Sequence, residues 1–340
     1  MKLIRFLLFP LAIIYNLITY IRNRLFDAKI LKSTCFSVPI IAVGNLNVGG
    51  TGKTPQIEYL IRLLQKDYKI AVLSRGYKRK TKGYLLLNDS HSAKDVGDEP
   101  LQFYKKFKKI KVAVDVDRVN GIQELLKADV TPEVILLDDA YQHRKVKAGY
   151  YVLLTKYDDL FSDDFLLPTG NLRESRRGAN RANLIMVTKC PENLTKLDQE
   201  RIINKLTIKE HQKVFFSSIT YNNNLKGIKD ITIESLKGKE VILVTGIANP
   251  SSLLTYLKKE NIKFKHLKYP DHHEFSRSDI NRINTVFNEK STVKKIIVTT
   301  EKDYVRLQNE IPDIYYIEIE NSFFDNKKSF DFEIQGFIKR

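Results

Sequence analysis

The sequence predicts an α/β layer sandwich with a mainly parallel sheet, built around a phosphate-binding loop and followed by a second, smaller α/β unit. Three observations carry this expectation. Short, β-branched apolar runs alternate with helical stretches along the chain. The first such run leads straight into a glycine-rich loop, Val48-Gly49-Gly50-Thr51-Gly52-Lys53-Thr54. A second series of strand and helix signals starts afresh near residue 240.

The first strand is expected at Val38–Val43 (VPIIAV), a run that suits burial on both faces. After the loop, Pro55 suits a first helical turn, and Ile57, Leu60, Ile61 and Leu64 form a helical stripe. Further strands are expected at Ile70–Leu73, Tyr84–Leu87, Ile110–Val114, Val134–Leu137, Tyr151–Leu154 and Leu184–Val187. The second series comprises a strand at Glu240–Thr245, a helix from Pro250 to Lys259, a strand at Phe264–Leu267, a helix over 278–288 and a strand at Lys295–Thr299. Val214–Thr220 and Ile314–Ile319 border it and are expected to pair as a two-stranded connector. With 340 residues, two domains of roughly 150 residues each are expected. The expected division is an N-terminal helix over 1–26, a P-loop domain over 27–212 and a smaller α/β domain over 213–340.

Composition narrows the partners. The formal net charge of +17 favours an anionic partner: nucleic acid, an acidic membrane surface or a phosphorylated substrate. The excess is spread along the chain, so solvated lysines are an equally simple reading. No nucleic-acid-binding module is recognisable, and none is expected to be the partner. The two cysteines, Cys35 and Cys190, form no CxxC or Cys/His ligand spacing, which argues against structural zinc. Phe6–Ile21 is an uncharged run of 16 residues flanked by Lys2, Arg5, Arg22 and Arg24. It is short for a span of about 20 residues and lacks a signal-peptide cleavage site. A buried core helix, a span and a helix lying in the membrane interface remain open. Basic flanks with Tyr15 and Tyr20 favour the interface.

Four segments carry chemistry. In the glycine-rich loop, backbone N–H groups and the helix N-terminus face a phosphate, Lys53 reaches the β- and γ-phosphates, and Thr54 offers a hydroxyl to Mg²⁺. Asn47 stands where the strict motif has glycine; asparagine also tolerates left-handed backbone. Val134–Asp139 is an apolar strand ending in Asp138 and Asp139, the arrangement that sets an acid beside the metal of a P-loop. Gly97-Asp98-Glu99-Pro100 reads either as a helix cap or as the carboxylate that orients an acceptor hydroxyl. Pro270-Asp271-His272-His273 reads as a loop, a metal ligand pair or a proton-transfer site. Two rival classes remain: a P-loop switch ATPase or GTPase, in which Thr188-Lys189 would mimic a base-reading motif, and a nucleic-acid binder.

Taken together, the segments resemble the tetraacyldisaccharide 4′-kinase family. The matching blocks run in order from Val43 to Asp303. They comprise Val43–Leu46 leading into Val48–Pro55, Ser74–Tyr77, Gly97–Pro100, Asp138–His143, Leu167–Glu174, Thr245–Pro250, Pro270–His273 and Thr300–Asp303. Ala140-Tyr141 stands where the family commonly has Gly-Phe, and Asn47 where threonine is usual. The resemblance implies two α/β/α domains joined by a two-stranded linker. It implies ATP- and Mg²⁺-dependent phosphorylation of the 4′-hydroxyl of a lipid disaccharide 1-phosphate, giving lipid IVA, at the cytoplasmic face of the inner membrane. The N-terminal helix would meet that membrane, and no obligate protein partner is implied. Residue by residue, Asp98 matches the catalytic carboxylate and His272 its partner, with Lys53 and Asp139 also catalytic. Asn47 to Thr54 match the ATP loop. Thr54, Asp138 and Glu174 match metal-proximal positions, and Arg173 and His143 match substrate or phosphate contacts.

Overall fold

The computed structural model describes residues 5–289, 293–324 and 326–339. Lys2, one of the charges flanking the N-terminal run, lies outside them. The strands of the first unit are β1 (Ile40–Asn45), β2 (Ile70–Ser74), β3 (Leu85–Leu86), β4 (Lys111–Val114), β5 (Val134–Asp138), β6 (Tyr150–Lys156), β7 (Leu184–Thr188) and β8 (Lys213–Tyr221). After them come β9 (Asn224–Leu225), β10 (Ile231–Thr232), β11 (Glu240–Thr245), β12 (Phe264–Lys268), β13 (Lys295–Thr300), β14 (Ile314–Ile317) and β15 (Ile319–Phe323).

The large sheet has nine strands in the order β15-β8-β7-β6-β1-β5-β2-β4-β3. It is parallel except at its two edges, where β3 and β15 run antiparallel to their neighbours. β1, β2, β5 and β7 are buried at every position, as a sheet covered on both faces requires. β1 lies between β5 and β6, and its register sets Val43 beside Asp138. The carboxyl end of β1 therefore delivers the glycine-rich loop next to the acidic end of β5. Ligands of open α/β sheets bind at such carboxyl ends.

The second sheet has four parallel strands in the order β12-β11-β13-β14. Helices Ser251–Lys259 and Arg277–Asn288 bury Leu253, Leu257, Ile280 and Ile283 against it. The connector differs from the expected pairing. β8 does pair antiparallel with a returning strand, but its partner is β15, with Ile319 opposite Tyr221. Ile314–Ile317 instead joins β13 in the small sheet. The chain changes sheets at Glu318, a buried carboxylate 3.0 Å from Lys106. The last helix, Lys327–Ile338, returns to the large unit and buries Phe330 and Ile334 in its core.

The N-terminal helix spans Phe9–Asp27, with Pro10 in its first turn. A buried core helix is excluded, because Ala12 and Phe26 alone are buried in it. Leu11, Ile14, Leu17 and Ile18 are each more than half exposed. Polar contacts hold the opposite side: the Tyr15 hydroxyl donates to the Arg173 carbonyl, and Arg144 donates to the Asn23 carbonyl. No helix of the described residues is long and apolar enough to cross a membrane.

Candidate active site

The glycine-rich loop needs backbone that side chains resist. Gly49 and Gly52 have φ of +114° and +86°, and Gly52 opens the helix Lys53–Leu64. Two residues from the end of β7 hold the loop from below. The Thr188 hydroxyl donates to the Thr51 carbonyl (2.8 Å), and Lys189 Nζ donates to the Gly50 carbonyl (2.7 Å). The pair that resembled a base-reading motif is thus tied to loop backbone. Val48 N donates to the Asn171 carbonyl, and the Asn47 amide donates to Asp164 Oδ2 (3.0 Å). Lys53 Nζ lies 3.2 Å from Asn45 Oδ1 and 3.6 Å from Asp139.

Asp138 and Asp139 diverge as the sequence suggests. Asp138 is buried, and its one side-chain donor among the described residues is the Ser74 hydroxyl at 3.1 Å. Burial first, and Asp139 next, push it up to about 6. Asp139 sits at φ +48° and is about one-third exposed. Burial acts to raise it, but Lys53 and Arg173 outweigh that and hold it below the usual carboxylate range. Arg173 Nη1 donates to both Asp139 oxygens, at 3.0 and 3.1 Å.

Asp138, a buried carboxylate at the end of β5, is a donor of the kind that suits Mg²⁺. Among the described residues no group of three or more His, Cys, Asp or Glu side chains could hold a metal alone. Mg²⁺ characteristically takes one or two carboxylates and completes its shell with phosphates and water.

Glu174, expected near the metal, is already held by three side chains. Its Oε1 accepts from Arg181 (2.7 Å) and Gln142 (3.2 Å), and its Oε2 accepts from Asn23 of the N-terminal helix (3.0 Å). Paired in this way it anchors that helix. His143, expected at a substrate or phosphate contact, is partly buried. Burial, reinforced by Arg118, lowers it to about 4, so the imidazole is neutral at neutral pH.

Asp98 is the first residue of the helix Asp98–Lys106, and Gly97 occupies the cap position. The capping reading is therefore replaced by another. The carboxylate is 5% exposed and faces the second unit. Its Oδ2 lies 2.9 Å from His272 Nδ1, and Arg306 reaches both oxygens, with Nε at 2.6 Å from Oδ1. Burial raises its proton affinity, but hydrogen bonds from His272 and Arg306 more than reverse this. His272 sits at φ +58° in the loop after β12, with its ring edge-on to Tyr77. Arg306 escaped the sequence reading. Its position one helical turn after Lys302 was visible, but its partner Asp98 is 208 residues away.

A P-loop fold with an acidic strand end, and a buried carboxylate–histidine pair spanning two α/β units, define the class: a nucleotide-dependent phosphotransferase. The sequence pattern of the tetraacyldisaccharide-1-P 4′-kinase family matches residues 4–338. The tetraacyldisaccharide 4′-kinase of Flavobacterium johnsoniae is 54% identical, over 100% of this chain and 98% of that protein. That of Bacteroides thetaiotaomicron is 42% identical, over 98% and 93%. The solved structure of the Aquifex aeolicus kinase of this family in complex with ATP superposes with a TM-score of 0.80. It is 30% identical, over 98% of this chain and 99% of that one. The chain belongs to the tetraacyldisaccharide-1-P 4′-kinase family.

Proposed function

We propose that the chain transfers the γ-phosphoryl group of ATP to the 4′-hydroxyl of a tetraacyldisaccharide 1-phosphate, giving lipid IVA, at a crevice closed between its two units. The observation that carries this reading is the approach of His272 from the second unit to Asp98 of the first, 2.9 Å apart. The crevice has the phosphate loop on one wall. Residues 47–54 wrap the triphosphate, and Lys53 stabilises charge on the transferring group. Asp139 orients Lys53 and Arg173, and Arg173 faces the phosphates. Thr54 and Asp138 would hold Mg²⁺, which offsets charge on the β- and γ-oxygens when bound.

Asp98 receives the acceptor hydroxyl. With its proton affinity lowered it is a weak base, but a loose phosphoryl-transfer transition state demands little early proton removal. Its work is to position the oxygen, and a misplacement of about 1 Å can cost roughly 100-fold in rate. Closure of the second unit, with β8 and β15 as the connector, excludes water that would otherwise take the phosphoryl group. The N-terminal helix lies in the interface of the inner membrane's cytoplasmic face. Its polar side contacts Arg173, and its apolar side offers Leu11, Ile14 and Ile18 to lipid.

The test is Asp98→Ala with labelled ATP, Mg²⁺ and the disaccharide 1-phosphate lipid. Turnover falls by about 100-fold or more, as for loss of a general base, while ATP affinity stays within about threefold. Native turnover in the variant overturns the assignment of Asp98.

A further inference from the structure

We propose that Lys302 is a positioning residue that keeps hydrogen off Nε2 of His272 and so holds the ring as an Nδ1–H donor to Asp98. The proposal rests on the catalytic reading of Asp98 and His272 given above.

The argument follows from what each neighbour of the ring can donate or accept. Lys302 Nζ lies 2.9 Å from His272 Nε2. The Lys302 ammonium also pairs with Glu99 at 3.3 Å and Asp271 at 3.7 Å. An ammonium donates and never accepts. Nε2 must therefore present a lone pair to it, because an Nε2–H would set two donors against each other. On the other side, Nδ1 lies 2.9 Å from Asp98 Oδ2. Arg306 pairs with both oxygens of Asp98, which favours the ionised carboxylate. A bare Nδ1 would then face a carboxylate oxygen lone pair to lone pair, so Nδ1 carries the hydrogen. Arg306 Nη2 is also 3.3 Å from Nδ1, but it is spent on Asp98 at closer range. The remaining neighbours are Asp271, 3.9 Å from Nε2, and the edge of the Tyr77 ring. Neither competes with Lys302 for the Nε2 lone pair.

One consequence concerns the reaction. With Nδ1 protonated and Nε2 capped, His272 has no free lone pair for the acceptor hydroxyl. The hydroxyl proton passes to Asp98 as the oxygen bonds to the γ-phosphorus and the bridging bond to ADP breaks. His272 and Arg306 hold the carboxylate in place for that transfer. Lys302, Asp303 and Arg306 share one short helix, Glu301–Leu307. Asp303 pins the start of this helix by accepting from Gly246 N (2.9 Å) and the Thr300 hydroxyl (2.7 Å).

The experiment uses the full chain with ¹⁵N-labelled histidine. The six histidine rings are resolved by NMR, with His272→Gln giving the assignment. The native ring of His272 should show hydrogen on Nδ1 and none on Nε2. In Lys302→Met, Nδ1 keeps its hydrogen against Asp98 but Nε2, freed of the ammonium, should take up hydrogen as well, and in Lys302→Arg, which keeps a donor, Nε2 should stay bare. Kinetically, kcat of Lys302→Met should fall several-fold with KM for ATP little changed, and Lys302→Arg should restore most of it. Hydrogen on Nε2 in the native chain overturns the proposal, as does an unchanged ring pattern in Lys302→Met. The native spectrum decides the tautomer even if Lys302→Met fails to fold. If Asp98→Ala keeps native turnover while the ring pattern is as stated, the catalytic reading fails and the tautomer assignment stands.

Discussion

Lys106→Met is expected to weaken the grip of the second unit on the first in a pH-dependent way. The Lys106 ammonium, 11% exposed, contacts Glu58 at 2.8 Å, Glu301 at 2.8 Å and Glu318 at 3.0 Å. These carboxylates belong to the helix after the phosphate loop, to the helix that carries Lys302 and Arg306, and to the crossover between sheets. Removing the shared cation from a buried cluster of this kind costs about 3–5 kcal/mol, because the charges left behind are unpaired. Protonation of a carboxylate limits the loss. Burial first, and Glu58 next, push Glu301 up to about 8, with Lys106 opposing. A carboxyl whose native pKa is raised contributes stability below its unfolded value, near about 4.3, and loses it as pH rises through the native value. Without Lys106 the native value rises further. The variant should therefore lose about 3–5 kcal/mol near pH 8.5 but only about half of that near pH 5.5, where Glu301 is protonated in both chains. Urea denaturation followed by circular dichroism at the two pH values measures the difference. An equal loss at both, or a loss under about 1 kcal/mol at the higher pH, would refute the reasoning.

Two further outcomes follow from the N-terminal helix and its anchor. Glu174→Gln should loosen that helix and cost about 1–3 kcal/mol through the unpaired, mostly buried Arg181. The Mg²⁺ concentration needed for half-maximal activity should stay unchanged, and a tenfold rise would place Glu174 in the metal set. Replacing Leu11, Ile14 and Ile18 together by serine should abolish co-sedimentation with anionic vesicles while ATP affinity is kept; full sedimentation of the variant would exclude the helix as the membrane contact.

The parts of the site that sequence made legible are those written in local chemistry. The phosphate loop, the Asp138-Asp139 strand end and the alternation of strands and helices depend on residues close together in the chain, so spacing reveals them. The connector shows where this stops. Ile314–Ile319 reads as one β-branched strand, but Glu318 splits it, because a carboxylate in its middle finds Lys106 and turns the chain into another sheet. Glu174 and His143 belong to matching blocks, yet their surroundings decide their chemistry. Arg181, Gln142 and Asn23 spend the carboxylate of one, and burial neutralises the other.

The sequence by itself determined that this chain binds a nucleoside triphosphate on a parallel α/β sheet, and its ordered blocks named the family. Backbone conformation and strand burial are set by neighbouring residues, which is why they survive in one dimension. Only the tertiary structure decided that Arg306 and Lys302 flank the Asp98–His272 pair, and that the N-terminal helix keeps its apolar side exposed. Those features depend on which charges meet across the crevice and on what solvent reaches. Both follow from packing between segments that lie up to 208 residues apart.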